Sequence, residues 1–524
     1  MPRVAFDFYT DADGRTPFFN WFPPYTHIYT GKASSTSLQF ALEALQKCTA
    51  CHQCFVPHEK RLPKRLINIE IPGLKSDGVR VIDTTAALLP PSTHYAALSY
   101  CWGPESTIRS QMVCMTKENL ADMAAGTDLS RLPAVFKDAV LTSRILGLRY
   151  LWIDALCIAQ GDRQEWLEES VKMAEVYSCA FVTIAASASA SCHESFLNVN
   201  HLRSFREAVE APGSEALSLG VKVYVRLSTS NLYGEATLPG LPSLTTMIDH
   251  RAWCYQEMVL SPRILHFTHT QVVLSCLEGV ESEDSDRIND QYLTNLQPRV
   301  YQWRTKILSK TLLTSQEASL VWKDVLESYI DSRIASAEDR LTAVAGVASQ
   351  LHAHMQPGNT YLAGLWKDTF VQELLWSVNY WPSGGHRRQK APTWSWASLS
   401  VGSSEKGSSF LRFYRPEDSG EVTLHTRLVR AEMKEEGGGT FGQVKHGTVV
   451  LEGVDEKEAT TRSNIAWEAV DLLLLRTHTT QSAIKADFLV LGPAGETGEQ
   501  YQRLGICKVK KDFLILNQMA LHTL

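Results

Sequence analysis

Nowhere in the 524 residues does an apolar run approach the roughly 18 residues that a membrane-spanning helix needs. The opening residues, Met1-Pro-Arg-Val-Ala-Phe-Asp-Phe8, also lack the apolar centre of a secretory leader. Concentrated positive charge is missing too. The 51 Lys and Arg stand against 57 Asp and Glu, a net charge of −6. Basic residues are scattered apart from His386-Arg-Arg-Gln-Lys390 and Lys508-Val-Lys-Lys511, so no face suited to a phosphate backbone is built and nucleic-acid binding is excluded. No internal repeat is evident. Gly31-Lys32 lacks the upstream glycine of a phosphate loop, and no G-x-S-x-G marks a hydrolase elbow. Gly437-Gly-Gly-Thr-Phe-Gly442 matches G-x-G-x-x-G formally, but it leads into a strand pattern rather than a helix and reads as a hairpin loop. The eleven cysteines are odd in number, and Cys101, Cys157 and Cys179 lie inside strand or helix patterns, as small buried hydrophobes do in a reducing compartment. A cytoplasmic protein is the expectation.

What is present is an α/β pattern. Three apolar runs, Tyr95–Gly103, Tyr150–Ile158 and Phe181–Ala186, alternate with helical patterns over Leu132–Gly147 and Asp162–Tyr177. This β-α-β-α-β order predicts a parallel sheet with crossover helices. Leu38, Ala41, Leu42, Leu45 and Cys48 recur at helical spacing, so the N-terminal arm, residues 1–60, carries one amphipathic helix. The α/β domain is expected over 61–277, with Arg65–Glu70 and Val79–Asp83 as a hairpin beside the sheet. Within it, 198–242 is a Gly, Ser and Pro-rich insertion, and Arg263–Phe267 with Gln271–Ser275 forms a second strand pair. A helical region follows over 278–400, in which Ser336-Ala-Glu-Asp339 reads as a capping-box start. Period-two alternation then predicts a β-rich C-terminal region over 401–524. Trp394 and Trp396 read as packing aromatics between the helical layer and the core.

Several of these segments carry a family resemblance. Tyr95–Gly103, Tyr150–Asp162 and Arg251-Ala-Trp-Cys-Tyr-Gln-Glu257 with Leu260-Ser-Pro-Arg263 resemble the three blocks of the fungal heterokaryon-incompatibility (HET) domain. Asp339-Arg-Leu341, Tyr361–Trp366 and Ala391–Ser398 extend the resemblance to roughly four fifths of the chain. It implies an intracellular self/nonself recognition protein promoting cell death, and a core similar to the TIR fold. A protein partner or self-association is then expected.

Candidate chemistry centres on two carboxylates. Asp154 stands in an otherwise apolar run, and a buried carboxylate needs a partner. It is either a ligand-binding group at the carboxyl ends of the strands or a core acceptor fixed by backbone or by Arg251. Glu165 follows Asp162 by three positions, which is first a helix-capping pattern. Some TIR folds cleave NAD with a helix-borne glutamate, so the resemblance also makes Glu165, Glu168 or Glu169 a candidate catalytic group of an NAD glycohydrolase. In that alternative NAD is a substrate, no cofactor is required, and Ser99, Trp102, Gly103 and Arg251 form the nucleotide site. Packing is the plainer role for Trp102, and ion pairing with Asp154 or Glu257 for Arg251. Cys48, Cys51, His52 and Cys54 are ligand types at compressed spacing, yet no downstream Cys-x-x-Cys completes a four-ligand set, so zinc is not expected.

Overall fold

The computed structural model describes residues 6–11, 24–25, 35–54, 61–70, 77–103, 113–198, 208–209, 223–227, 248, 251–268, 271–283, 304, 306–308, 312–330, 332, 334, 339–355, 357–374, 376–378, 386–387, 395–400, 411–412, 422–435, 447–451, 467–479, 484–494 and 500–510. They divide into two compact units, Met1–Lys310 with Thr342–Gln350, and Thr311–Leu341 with Leu351–Leu524.

The first unit runs β1 (Phe6–Asp11), β2 (Pro24–Tyr25), α1 (Ser35–Cys51), β3 (Arg65–Asn68), β4 (Gly78–Asp83), β5 (Ala96–Ser99), α2 (Leu120–Ala125), β6 (Thr127–Asp128), α3 (Ala134–Ile145), β7 (Tyr150–Trp152) and α4 (Asp154–Cys157). It continues with α5 (Arg163–Cys179), β8 (Val182–Ala185), β9 (Ala208–Val209), β10 (Val223–Leu227), α6 (Ala252–Leu260), β11 (Arg263–Phe267), β12 (Val272–Cys276) and β13 (Val280–Ser282). Nine strands form the main sheet in the order β13-β12-β11-β8-β5-β7-β3-β4-β6. Its centre is parallel: β5 pairs with β7 through Ala96↔Leu151 and with β8 through Ala96↔Val182, and β8 pairs with β11 through Ile264↔Thr183. Both expected strand pairs are present, β3 with β4 and β11 with β12, and each extends an edge of the parallel centre antiparallel to its neighbour or through one parallel strand. β9 and β10, within the expected insertion, join β1 and β2 in a separate four-stranded sheet; most of 198–242 lies outside the described residues.

All four residues of β5 and of β8 are buried, which accounts for apolar runs without alternation. α3 buries Val135, Phe136, Ala139, Val140 and Ser143, one continuous stripe. α5 is fixed to β5 by two tyrosines: Tyr95 donates its hydroxyl to the carbonyl of Val176 at 2.6 Å, and Tyr177 donates to that of Leu98 at 3.0 Å. Gly346 lies so close to α5 and α6 that an added Cβ would stand 2.6 Å from the Ala174 Cβ and 2.4 Å from the Gln256 Oε1.

In one respect the structure corrects the sequence reading. The run Tyr150–Ile158 is not one strand: β7 ends at Trp152, and Asp154 opens the single helical turn α4. Ala155, Leu156 and Cys157 are all buried there, so a buried helical turn presents the same unbroken apolar sequence as a buried strand.

The second unit contains α7 (Ser315–Tyr329), whose start is a capping box. Thr314 Oγ1 accepts from the Glu317 backbone at 3.2 Å, and Glu317 accepts from the Thr314 backbone at 2.9 Å. The box expected at Ser336 falls mostly outside the described residues; α8 (Thr342–Ala353), whose residues Thr342–Gln350 belong to the first unit, follows Leu341 without a side-chain cap. Tyr361–Leu362 and Leu365–Trp366 make a hairpin whose turn residues Ala363 and Gly364 have φ of 42° and 98°, the left-handed pair such tight turns require. The Gly364 carbonyl accepts from the indoles of Trp322 and Trp396; Trp394 lies outside the described residues. The C-terminal region is β-rich as expected: Gly447–Leu451, Val422–Glu435, Trp467–Thr479, Ile484–Ala494 and Gln500–Lys510 form an antiparallel sheet in that order. The glycine run 437–442 itself is outside the described residues, but the strands on either side of it pair, Glu435↔Gly447.

Candidate functional site

The carboxyl ends of β5 and β7 bring several of the nominated residues together. Asp154, one residue past the Ile153 that follows β7, receives three hydrogen bonds: from the Tyr100 hydroxyl at 2.8 Å, the Trp102 indole N–H at 2.8 Å and the Ala155 backbone N–H at 2.7 Å. Gln160 donates its side-chain amide to the Asp154 carbonyl at 3.3 Å. Arg251, at the start of α6, does not form an ion pair with Asp154. Its Nη1 donates to the Tyr100 carbonyl at 2.8 Å, and its charge acts on Asp154 from there. Burial pushes the Asp154 carboxyl up; the three donors and Arg251 pull it back only in part. Trp102 is half-buried against the core with its N–H committed to Asp154.

Gly103 has φ of +102°, and an added Cβ would stand 2.7 Å from the Ser191 Cβ. The close approach that this position requires is therefore to the β8–β9 connection of the same unit. Ser99 is fully buried at the end of β5.

Beside this cluster lies a carboxylate that the sequence reading named only as a partner for Arg251. Glu257 is buried in α6, and its Oε2 has no hydrogen bond. The Ser99 hydroxyl faces it without closing a hydrogen bond. Burial, reinforced by the negative charge of Asp154, pushes Glu257 up to about 7 against the opposing influence of Ser99 and Arg251. The ion pairs among the described residues leave out both Asp154 and Glu257. The one sequence signal was a Gln256-Glu257 pair set among the apolar residues of Ala252–Leu260.

Glu165 engages a different set of groups. Arg65 of β3 binds both its carboxylate oxygens, Nη1 to Oε1 and Nη2 to Oε2 at 3.3 Å, while Lys64 Nζ lies 3.3 Å from Oε2. The Ala159 backbone N–H donates to Oε1 at 3.1 Å. Burial alone would raise this carboxyl; Arg65, Ala159 and Lys64 reverse that and hold it at about 2. Asp162 caps α5 through the Gln164 and Glu165 backbone N–H groups, at 3.1 and 3.3 Å, but Glu165 makes no return bond and ties the helix to β3 instead. Of its neighbours, Glu168 accepts from Gln164 and Glu169 from Lys172, both within α5.

A second constellation stands at the end of α1. Cys48, His52 and Cys54 come together with Cys276, the last residue of β12, whereas Cys51 points to solvent. Cys276 lies 224 positions from His52, which is why spacing along the chain did not reveal it.

The geometry at the ends of β5 and β7 falls inside a recognisable unit of sequence. Residues 95–257 match the family model described as Heterokaryon incompatibility protein (HET); the motifs quoted above from Leu260 onward lie beyond the match. No curated protein and no solved structure matches the chain. From Tyr95, just before β5, to Glu257 in α6, the chain is similar to the heterokaryon-incompatibility (HET) domain.

Proposed function

We propose that this protein acts in fungal self/nonself recognition, promoting cell death by engaging a protein partner or another copy of itself rather than by turning over a nucleotide. The observation that carries this reading is the separate commitment of the two candidate catalytic carboxylates. Both oxygens of Asp154 are engaged, by Tyr100, Trp102 and Ala155, and both oxygens of Glu165 by Arg65, Lys64 and Ala159. Glycosidic cleavage needs a carboxylate free to face the reacting carbon, and both of these serve instead to join elements of the domain. Trp102, Gly103 and Arg251 likewise direct their contacts inward, to Asp154, Ser191 and Tyr100.

The test has two parts. Induced expression of the full chain in a filamentous fungus is expected to arrest growth, and absence of arrest at verified protein levels would remove the cell-death reading. Purified full chain incubated with NAD is expected to release no nicotinamide by chromatography. Release that disappears in a folded Glu165→Gln variant would instead establish the glycohydrolase alternative.

A further inference from the structure

We infer that Cys48, His52, Cys54 and Cys276 form a structural metal site of the three-thiolate, one-imidazole type, with zinc as the fitting ion. The four ligand atoms all lie within 4.8 Å of one another. Cys48 Sγ is 3.6 Å from Cys54 Sγ, and His52 Nδ1 is 3.2 Å from Cys276 Sγ. Tetrahedral zinc, with Zn–S of about 2.3 Å and Zn–N of about 2.0–2.1 Å, sets its ligand atoms about 3.6–3.8 Å apart. A disulfide between Cys48 and Cys54 would need about 2.05 Å. The three cysteines are buried and the histidine is half-buried, so the set has the closed character of a structural centre.

A second observation concerns charge. Arg263 is buried, and its guanidinium donates to Cys48 Sγ at 3.4 Å, the Cys54 carbonyl at 3.2 Å and the Phe181 carbonyl at 3.3 Å. None of the ion pairs among the described residues gives it a carboxylate. A buried cation requires a counter-charge, and neutral thiols provide none. Three thiolates and a neutral imidazole around a divalent ion carry a net charge of −1, which the adjacent guanidinium balances. A donor to a ligating sulfur is also the outer-shell support that metal sites use to orient their ligands.

The chain supplies the ligands from two places. His52 continues the last turn of α1, its backbone N–H bonded to the Cys48 carbonyl at 3.0 Å. This places both residues on one side of the helix end and carries Cys54 across to the same point. Cys276 ends β12 on the main sheet. The metal would therefore staple the N-terminal arm to the β11–β12 edge, and its binding energy would become stability of that junction.

The experiment is elemental analysis of the full chain purified from zinc-supplemented cells without chelator. About one zinc per chain is expected, retained in Cys51→Ser and lost in His52→Ala and Cys276→Ser. Because the ligand variants can fail to fold, the wild type is also stripped and loaded with cobalt(II). Intense visible d–d bands with a thiolate-to-cobalt charge-transfer band are expected, together with a fall in melting temperature on chelation. A metal-free wild type whose cobalt form lacks those bands would overturn the site, as would equal zinc loss in Cys51→Ser.

Discussion

Glu165 in α5 and Glu257 in α6 are both buried glutamates of the same α/β unit, and they are treated oppositely. Glu165 faces a guanidinium and an ammonium and is held ionised, at about 2. Glu257 has no ion pair within reach, leaves Oε2 without a hydrogen bond, and is pushed up to about 7. The difference shows that burial by itself does not assign a role to a carboxylate. Where a cation has been brought to it, the group is a fixed link between elements, here α5 and β3. Where no ion pair forms, burial outweighs the more distant Arg251 charge and pushes the carboxyl up to about 7. Glu165, a catalytic candidate by resemblance, is tied to β3 by Arg65, and Glu257, expected only as an ion-pair partner for Arg251, forms no ion pair among the described residues.

The largest expected effect breaks the link. Arg65→Ala would leave Glu165 buried with only the half-exposed Lys64 and the Ala159 N–H against it, at a cost of up to about 3–5 kcal/mol, measured by urea denaturation at pH 7. Replacing both partners, Arg65→Met with Glu165→Leu, is expected to recover most of that loss, because the pair's own desolvation is removed with it. If the double variant were as unstable as the single one, the cost would lie in Arg65's bond to the Cys157 carbonyl rather than in the stranded charge.

Next comes pH, which separates the two glutamates by sign. Glu165 is depressed in the folded protein, so its stabilisation is present above its unfolded value near 4.5 and is lost as pH falls towards about 2. Glu257 is raised, so the folded state binds the extra proton between about 4.5 and about 7. Stability should therefore decline with rising pH across that window, by on the order of 3 kcal/mol, and level off above it. In Glu257→Gln the decline between pH 5 and 7 is expected to flatten while the acid limb stays. Unfolding curves across pH 3–8 that superimpose for the two proteins would show that Glu257 does not titrate there.

The asymmetry between these two sites explains what could be read in advance. The parallel strands β5, β7 and β8 were legible because each is an apolar run bounded by turn residues, and the crossover helices because Val135, Phe136, Ala139 and Val140 repeat at helical spacing. Asp154 was legible as a buried acceptor but not as the start of a helical turn, since Ala155-Leu-Cys157 is buried all round and shows no period. Glu165 satisfied a capping pattern that the chain uses only halfway: Asp162 caps, while Glu165 reaches Arg65, one hundred positions earlier. The same distance problem hid Cys276 from the cysteine cluster. Local signals report local partners, whereas Glu165 and the cysteine cluster are completed by residues far along the chain, on β3 and β12.

A smaller effect is expected from thinning the donors around Asp154. Tyr100→Phe keeps the edge contact of the ring with Phe136, whose centroid is 5.2 Å away, and removes only the hydroxyl bond to Asp154. Loss of one donor to a buried carboxylate should cost about 1–3 kcal/mol, and less in acid, where Asp154 takes up a proton. Trp102→Phe should fall in the same range. A cost shared equally at pH 4 and pH 7 would assign the loss to packing instead of to the carboxylate.

The smallest effect sharpens the comparison most. Ser99 has a fully buried hydroxyl that makes no hydrogen bond, and it faces Glu257. Deleting an unsatisfied buried hydroxyl removes a desolvated dipole and leaves no partner stranded, so Ser99→Ala should change stability at pH 5 by no more than about 0.5 kcal/mol. That hydroxyl nevertheless favours the ionised form of Glu257, and without it the Glu257 midpoint should move further up, extending the decline in stability beyond pH 7. A carboxylate already fixed by a cation, as Glu165 is by Arg65, would not register so weak a neighbour. A displaced midpoint with unchanged stability at pH 5 is thus the behaviour of an unpaired buried acid, and an unmoved midpoint would mean that Glu257 is anchored by a stronger partner than Ser99.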